Sequence, residues 1–494
     1  MSELFHSTVS RRTFMKSLGM VATGAAALTL PVYHDLDEMK SDDAAIFKNP
    51  WWVKEVDEPT VEIDWNTLKP CDSRIACNDT SVPEKYHGTE FGFKPGYWEE
   101  LSARARDNKI NWMKENRPGY TVKDWALRQS VTAPPGASFP WVADKAAYFP
   151  TQGAIRNPHV GEVPRGPAEI QTEGIPKYQG TPEENARMLK VARRFFGSDV
   201  IGSTLFDQRQ KQLLYSNNCV VENVDEGYTN AAGKKVIPGN VQMYYSLGFY
   251  QESNDMWSRA PGGMVKSAHY LGNRNMQMEA SSAHRFIAAL YYQSLHGGGG
   301  MAPAPAVGVL AGMNELGRPG NSLNPVYGMG SAGSSGMILT DLPLAPDKPI
   351  DSGAMRFCDS CHRCSDACPG GAIVGEPRSW DVYGPWSNPG KKAFQNKMNL
   401  CRDGFFLLNF CLLCTANCVF TKHNSASIHV MVKQIASVSP VFNSFFTNMD
   451  GLFGYGTAGI NSEHNPDSDA TFNPRAAEWW NEEHAKYGQH IAET

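Results

Sequence analysis

The sequence predicts an α+β protein: a core of about 160–200 residues mixing helices and strands, followed by a short cysteine-rich unit. Two observations carry this. A helix signal at Thr181 is followed by a strand signal, and helical and β-rich segments succeed each other through residue 310. Downstream, eight of the eleven cysteines fall between Cys358 and Cys418. A length of 494 residues suggests roughly two to four domains, and a 41% hydrophobic fraction is enough for a sizeable core. The net charge of −5 and the lack of any Lys/Arg-rich tract argue against a nucleic-acid partner.

The N-terminus reads as an address. Ser10-Arg11-Arg12-Thr13-Phe14-Met15-Lys16 is a twin-arginine signal, followed by an apolar run from Leu18 to Leu30 that ends at Pro31. That run is short of the ~20 apolar residues a spanning helix needs, and it suits a signal h-region. Cleavage is expected between Pro31 and Ala45. Twin-arginine export carries folded, cofactor-loaded proteins.

Residues 32–150 are polar, Trp- and Pro-rich and weakly periodic. Asn49-Pro50-Trp51-Trp52 reads as an ordered anchor, residues 97–130 contain helical stretches, and Pro134-Pro135-Gly136 marks a loop. At Thr181-Pro182-Glu183-Glu184 a helix begins, with Thr181 as N-cap, Pro182 at the first position and Glu184 completing a capping box. Its apolar face is read as Met188, Leu189, Ala192, Phe195 and Phe196. Asp199 to Leu205 reads as a strand, and Ser282 to Leu295 as a second helix.

Residues 296–337 are glycine-rich. Gly328-Met329-Gly330-Ser331-Ala332-Gly333 formally matches a dinucleotide fingerprint, but no strand precedes it and no helix follows, so the match is discounted. Glycines 297, 298 and 299 are read instead as backbone that lies close to a flat ligand. After the cysteines, residues 424–454 read as a helix and an aromatic-rich wrap.

The cysteine spacing specifies chemistry. Cys358, Cys361, Cys364 and Cys368-Pro369 form the C-x2-C-x2-C-x3-C-P pattern of bacterial ferredoxins. Cys411-x2-Cys414-x3-Cys418 is a second, incomplete run; its missing member falls at Leu408, and Cys401 is the substitute, delivered by a loop. Fourth cysteines cross between clusters in two-cluster ferredoxins. The expected sets are therefore Cys358, Cys361, Cys364 and Cys418 for one [4Fe-4S] cluster, and Cys368, Cys401, Cys411 and Cys414 for the other. A zinc site would favour two separated C-x2-C pairs. Cys71, Cys77 and Cys219 are read as non-ligands.

At this point a resemblance enters. The twin-arginine segment, Thr181-Pro182-Glu183-Glu184-Asn185, Leu339-Thr340-Asp341-Leu342-Pro343-Leu344, Lys348-Pro349-Ile350-Asp351 and Pro440-Val441-Phe442-Asn443-Ser444-Phe445-Phe446 resemble, in order, the respiratory reductive dehalogenases. The resemblance implies a nitroreductase-like core that binds a corrinoid with no protein ligand on cobalt, beside a ferredoxin-like domain with two [4Fe-4S] clusters. The division implied is a signal peptide (1–31), an N-terminal wrap (32–150), the corrinoid-binding core (151–345), the cluster domain (346–430) and a C-terminal wrap (431–494).

It further implies reduction of an organohalide, a chlorinated ethene or a chlorinated aromatic, at a Co(I) corrinoid. The enzyme would sit on the outer face of the cytoplasmic membrane, on a small integral membrane anchor, fed from the quinol pool or a hydrogenase after passage through the twin-arginine machinery. Ser294-Leu295-His296-Gly297-Gly298-Gly299 lacks the Asp of the D-x-H-x-x-G cobalt-ligand motif, which agrees with an unligated cobalt. The family's proton-donor tyrosine maps to Tyr270, with Tyr244 and Tyr245 as competitors. A phenol holds its proton at neutral pH and can release it to a carbanion-like centre. The partner slots fall near His296 and at Ser335 or Gly336, and Arg318 is a further candidate. Two other readings are an exported electron-transfer subunit without corrinoid chemistry, and a corrinoid reductase of modified tRNA.

Overall fold

A computed structural model describes residues 49–75, 97–125, 177–251, 254–297, 300–329, 331–332, 336–422, 428–457 and 472–481. The twin-arginine segment, Cys77, Gly298, Gly299 and Ser335 lie outside these residues.

Helix α1 (Tyr97–Lys114) opens with Glu99 and Glu100, which suit its positive N-terminal end, and buries Leu101 and Trp112. Helix α2 (Pro182–Phe196) starts where the sequence places it. Thr181 Oγ1 accepts from the Glu184 amide at 3.2 Å, while Glu184 Oε2 accepts from the Thr181 amide at 2.9 Å. It ends at Gly197, whose φ of 116° lies in the left-handed region that glycine tolerates. One expected apolar position is wrong. Phe195 is 87% exposed, and the fully buried neighbour is Arg193.

The central sheet is antiparallel. Its strands are β1 (Val200–Leu205), β2 (Tyr244–Gln251), β3 (Ser294–His296) and β4 (Met337–Thr340). Strand β2 pairs with β1 on one edge, from Val200↔Phe249 to Leu205↔Tyr244. On its other edge it pairs with β4 and, further along, with Ser331–Ala332. Strand β3 closes the far side of β4, with His296 opposite Ile338.

Alternation along β2 divides the core. Tyr245, Leu247 and Phe249 face a layer that includes Leu213, Met301, Val307 and Leu310, each burial worth roughly 1.5–3 kcal/mol for a large apolar side chain. The opposite face carries α2 and helix α3 (Gly263–Ala289), which pack Leu189, Ala283 and Ile287 against Ile338. Helix α4 (Ala304–Leu310) belongs to the first layer.

The second helix expected from sequence is therefore misplaced. It runs from Gly263 to Ala289, and Leu295 lies in strand β3 instead. Tyr291, at a φ of 68°, sits in the turn between them.

The cysteine-rich part is built from short helices: α5 (Ala354–Ser360), α6 (Arg363–Asp366), α7 (Met398–Leu407) and α8 (Leu413–Asn417). Helices α9 (Ile428–Val438) and α10 (Asn443–Leu452) follow, as the aromatic wrap was read. Helix α7 packs on α1. Two small ladders tie the early chain to this part: Lys54–Glu55 with Ile350–Asp351, and Glu62–Ile63 with Lys391–Lys392. Residues 52–494 form one unit and residues 1–51 another. Among the described residues no helix is long and apolar enough to cross a membrane.

Candidate functional site

The first cysteine run is folded as short turns of helix. Cys358 lies in α5, Cys361 ends it, Cys364 lies in α6 and Cys368 follows, accepting from the Ala372 amide at 3.3 Å. All four are buried. Arg318 holds this run from below. Its guanidinium donates to the carbonyl oxygens of Cys358 (2.6 Å), Cys361 (3.0 Å), Val374 (2.9 Å) and Glu376 (3.1 Å), and it lies 4.1 Å from the centroid of the Phe394 ring. It is completely buried. The expectation that Arg318 partners the catalytic tyrosine is thus corrected: its donors are committed to the cysteine backbone.

In the second run Cys414 lies in α8 and Cys418 ends it. Cys401 does not come from a loop; it lies in helix α7. Leu408, at the position of the missing cysteine, is fully buried, and its carbonyl accepts from the Tyr120 hydroxyl at 2.7 Å. Cys411 sits in a turn that forces non-glycine residues into positive φ: Asn409 (51°), Phe410 (104°) and Leu412 (53°). Such conformations cost of order 1–3 kcal/mol each and persist where surrounding packing imposes them. Here Trp257, Val265 and Leu413 pack with Phe410.

The electrostatics sort the thiols. Burial pushes Cys358 up, and the nearest further contributors are Cys361 and Cys418. Cys361 is pushed up to about 11 by burial, with Cys418 adding to it. Cys364 is raised by burial and then by Cys358, Cys361 and Cys418. On the other side Cys411 is raised by burial, with Cys414, Cys368 and Cys401 contributing. Cys414 is pushed up to about 12, by burial and then by Cys368.

The thiols named as acting on one another are thus Cys358, Cys361, Cys364 and Cys418 on one side and Cys368, Cys401, Cys411 and Cys414 on the other. Cys364 also feels Cys414, and Cys414 also feels Cys418, so the sets adjoin. Cys358, Cys361, Cys364, Cys411 and Cys414 are each pushed up by burial and by neighbouring thiols, an opposition that bound metal would remove by taking them as thiolates. Among the described residues no group of three or more His, Cys, Asp or Glu is arranged to hold a single metal ion. Cys219 is packed in the core, and Cys71 bridges to Tyr215 through its backbone.

Tyr270 stands near the N-terminal end of α3, half-buried. Its ring centroid is 6.2 Å from that of Phe410, the residue before Cys411. The Lys266 ammonium lies 5.6 Å from the Tyr270 ring and 5.5 Å from the Phe410 ring. His269 beside it bonds Asn273 at 3.0 Å. Of the competitors, Tyr245 is fully buried in the core and held protonated by burial, and Tyr244 packs on the helix-covered face.

His296 ends β3, with its ring 5.7 Å from that of His284. A side chain at Gly297 would meet the Met337 carbonyl at 3.1 Å, so its bareness lets the chain pack closely against β4. Gly328, at a φ of 72°, makes a turn with Asn324 pressed against the Thr421 backbone, which accounts for that part of the discounted fingerprint. Gly336 offers its carbonyl to Arg193 at 2.7 Å.

A cavity of about 510 Å³ lies between the early chain, α4 and the cysteine-rich part. Trp65, Leu213, Val309, Leu310 and Phe394 make apolar walls, and Asn321, Gln395 and Asn396 add amides. No histidine is among the residues that line it.

Sequence reasoning missed the buried charges around the first set. Asp450 lies 2.5 Å from Lys422 Nζ, 3.2 Å from His429 Nε2 and 3.4 Å from Arg363 Nε. Lys433 Nζ donates to the Val326 carbonyl at 2.5 Å and is pushed down to about 7 by burial, with Cys418 acting in the opposite direction.

Residues 48–218 match the family model of the reductive dehalogenase subunit. The chain is 28% identical to the chloroethene reductive dehalogenase of Dehalococcoides mccartyi strain VS, over 98% of each chain. Among solved structures it superposes on the catabolic reductive dehalogenase NpRdhA with a TM-score of 0.54 at 17% identity, covering 88% of this chain and 54% of that one. A second reductive dehalogenase, whose structure bears on B12-dependent dehalogenation, gives 0.50 at 16% identity, covering 90% and 58%. The chain thus spans a little over half the length of these solved proteins while matching its curated relative end to end. Family model, full-length relative and shared fold agree: the chain is similar to reductive dehalogenases along its whole length.

Proposed function

We propose that this protein is a respiratory reductive dehalogenase, carrying electrons through two [4Fe-4S] clusters to a corrinoid that removes halide from an organohalide. The observation that carries the reading is the ferredoxin-type run from Cys358 to Cys368, buried in short helices next to the second run from Cys411 to Cys418, with Tyr270 packed on Phe410 beside it. Cys358, Cys361, Cys364 and Cys418 would hold one cluster, and Cys368, Cys401, Cys411 and Cys414 the other. The sulfur donors fit iron–sulfur chemistry.

The corrinoid would lie in a nitroreductase-like core. The cavity beside Phe394 has apolar walls and the amides of Asn321, Gln395 and Asn396 that such a macrocycle could use, and Tyr270, Lys266 and His296 are not among the residues that line it. When bound, it would supply low-potential reduction of the carbon–halogen bond. Gly298 and Gly299 would approach it. Tyr270 would hold the proton for the carbon that loses halide, with the Lys266 ammonium 5.6 Å from its ring. His296 falls near the slot that the family uses for the tyrosine's partner. The apolar walls would exclude water.

The relative named for chloroethene supports a chlorinated ethene ahead of a chlorinated aromatic. The division into residues 1–31, 32–150, 151–345, 346–430 and 431–494, the export by the twin-arginine route, the small membrane anchor, and a quinol- or hydrogenase-derived donor complete the proposal. The test is anaerobic reconstitution with iron, sulfide and cobalamin, then chloride release from chlorinated ethenes and phenols with reduced viologen. Stoichiometric corrinoid with about eight irons per chain and chloride release is the expected result. Intact clusters without corrinoid uptake would turn the reading to an electron-transfer subunit.

A further inference from the structure

We propose that Tyr120 is a positioning residue for the second cluster, fixing the chain at position 408 in place of the cysteine that is missing there; this rests on the two-cluster reading above. In a complete C-x2-C-x2-C-x3-C run the residue three before Cys411 would be a ligand, and its bond to iron would hold the chain at that point. Here the residue is Leu408, which closes α7. Its side chain is fully buried with Trp112 and Tyr120, and Cys411 packs against the same group.

The backbone of this turn is tied on three sides. The amides of Asn409 and Phe410 donate back to the carbonyls of Phe406 and Phe405, each at 2.9 Å, which is a Schellman ending for α7. Asn409, at a φ of 51°, takes the left-handed position that glycine usually fills. The last carbonyls of a helix have no partner within it, and that of Leu408 is met by the Tyr120 hydroxyl at 2.7 Å. The Phe410 carbonyl accepts from the Gly262 amide at 2.9 Å, and the Gly263 amide donates to the Gly119 carbonyl at 2.8 Å. Segments 119–120, 262–263 and 408–410 therefore clasp one another. The clasp has no slack: a Cβ on Gly262 would lie 2.7 Å from the Gly119 oxygen, and one on Gly119, whose φ is 83°, 2.8 Å from the Pro261 oxygen.

Cys411 stands inside this turn, between Phe410 and Leu412, both at positive φ. Such backbone relaxes unless its surroundings oppose it. Without the Tyr120 hydroxyl the Leu408 carbonyl would be a buried acceptor with that donor removed, and the turn would lose a contact that holds Cys411 in place. Tyr120 touches no reacting atom and acts through Cys411.

The experiment is chelator-driven iron release from the reconstituted full-length protein, followed by EPR of reduced samples. Cys361→Ala and Cys414→Ala identify the signals of the first and second clusters. Tyr120→Phe keeps the ring and removes only the hydroxyl. It should release the second cluster about tenfold faster than the parent, the scale of one hydrogen bond to a buried group, and leave release of the first unchanged. Trp112→Phe trims the same apolar group without touching that hydrogen bond, and should release both clusters at nearly the parent rate. Equal release of the second cluster in parent and Tyr120→Phe would overturn the proposal. So would equal acceleration of both clusters, or the same acceleration in Trp112→Phe, since either would make Tyr120 ordinary packing. Unsubstituted protein that takes up only one cubane would instead sink the two-cluster reading itself.

Discussion

Arg318 donates to the carbonyl oxygens of both Cys358 and Cys361, at 2.6 and 3.0 Å, from a completely buried position. The same guanidinium reaches Val374 and Glu376. A residue 40 positions before Cys358 therefore fixes the curvature of the first cysteine run. Lysine has its donors at one point and cannot span four carbonyls.

Arg318→Met should accordingly lose the first cluster, so that iron falls from about eight to about four per chain. Each charged hydrogen bond removed is worth about 1.5–3 kcal/mol, and a lower thermal midpoint should accompany the loss. Arg318→Lys should fall between. Iron analysis reads the outcome, and full iron in the methionine variant would show that the clamp is dispensable.

Tyr270 is reached differently, through the aromatic contact to Phe410 and the ammonium of Lys266. If it supplies the proton, Tyr270→Phe should lower kcat by at least about 10²-fold, the usual scale of general acid catalysis. Cluster EPR signals and corrinoid content should be unchanged. Equal turnover in parent and variant would remove Tyr270 from the mechanism.

What the sequence made legible has a physical pattern. The capping box at Thr181 and Glu184 was readable because it is a contact over three residues, and the spacing within the two cysteine runs is local in the same way. Cys401 was placed on a loop because the helix that presents it, α7, reveals itself only by packing on α1. Helix α3 was shortened because its first half, with Gly272, Asn273 and Asn275, carries weak helix propensity. Packing on the sheet overrides that. The partners of Arg318 and Asp450 are set by tertiary contact, which no window of sequence displays.

Arg193 is the sharpest such case. Helix propensity places it among solvent-facing residues, yet it is fully buried and paired with Glu279, 86 residues away, at 2.7 and 2.9 Å. It also donates to Ser246 and Gly336, tying α2, α3, β2 and the loop before β4 together. Removing one member of a buried pair costs about 3–5 kcal/mol, because the other charge is left enclosed. Arg193→Met or Glu279→Leu alone should destabilise by that amount in denaturant titration. The double substitution should recover most of it. Additive losses in the double variant would mean that the pair is not a unit.

His284 offers a pH test on the same face of the sheet. It is 1% exposed and bonds Ser294 Oγ at 2.6 Å. Burial holds its imidazole well below the ordinary histidine range, and His296 and Arg193 add to this. The unfolded chain therefore binds a proton near pH 6.5 that the folded chain refuses. The contribution of neutral His284 is fully present above that pH and is lost as pH falls towards the folded value, with a slope of up to about 1.4 kcal/mol per pH unit. Urea midpoints measured from pH 7.5 down to 5.5 should decline in the parent. They should decline less in His284→Asn, which can keep a hydrogen bond to Ser294 without the titration. An identical decline in both proteins would assign the acid sensitivity to another group.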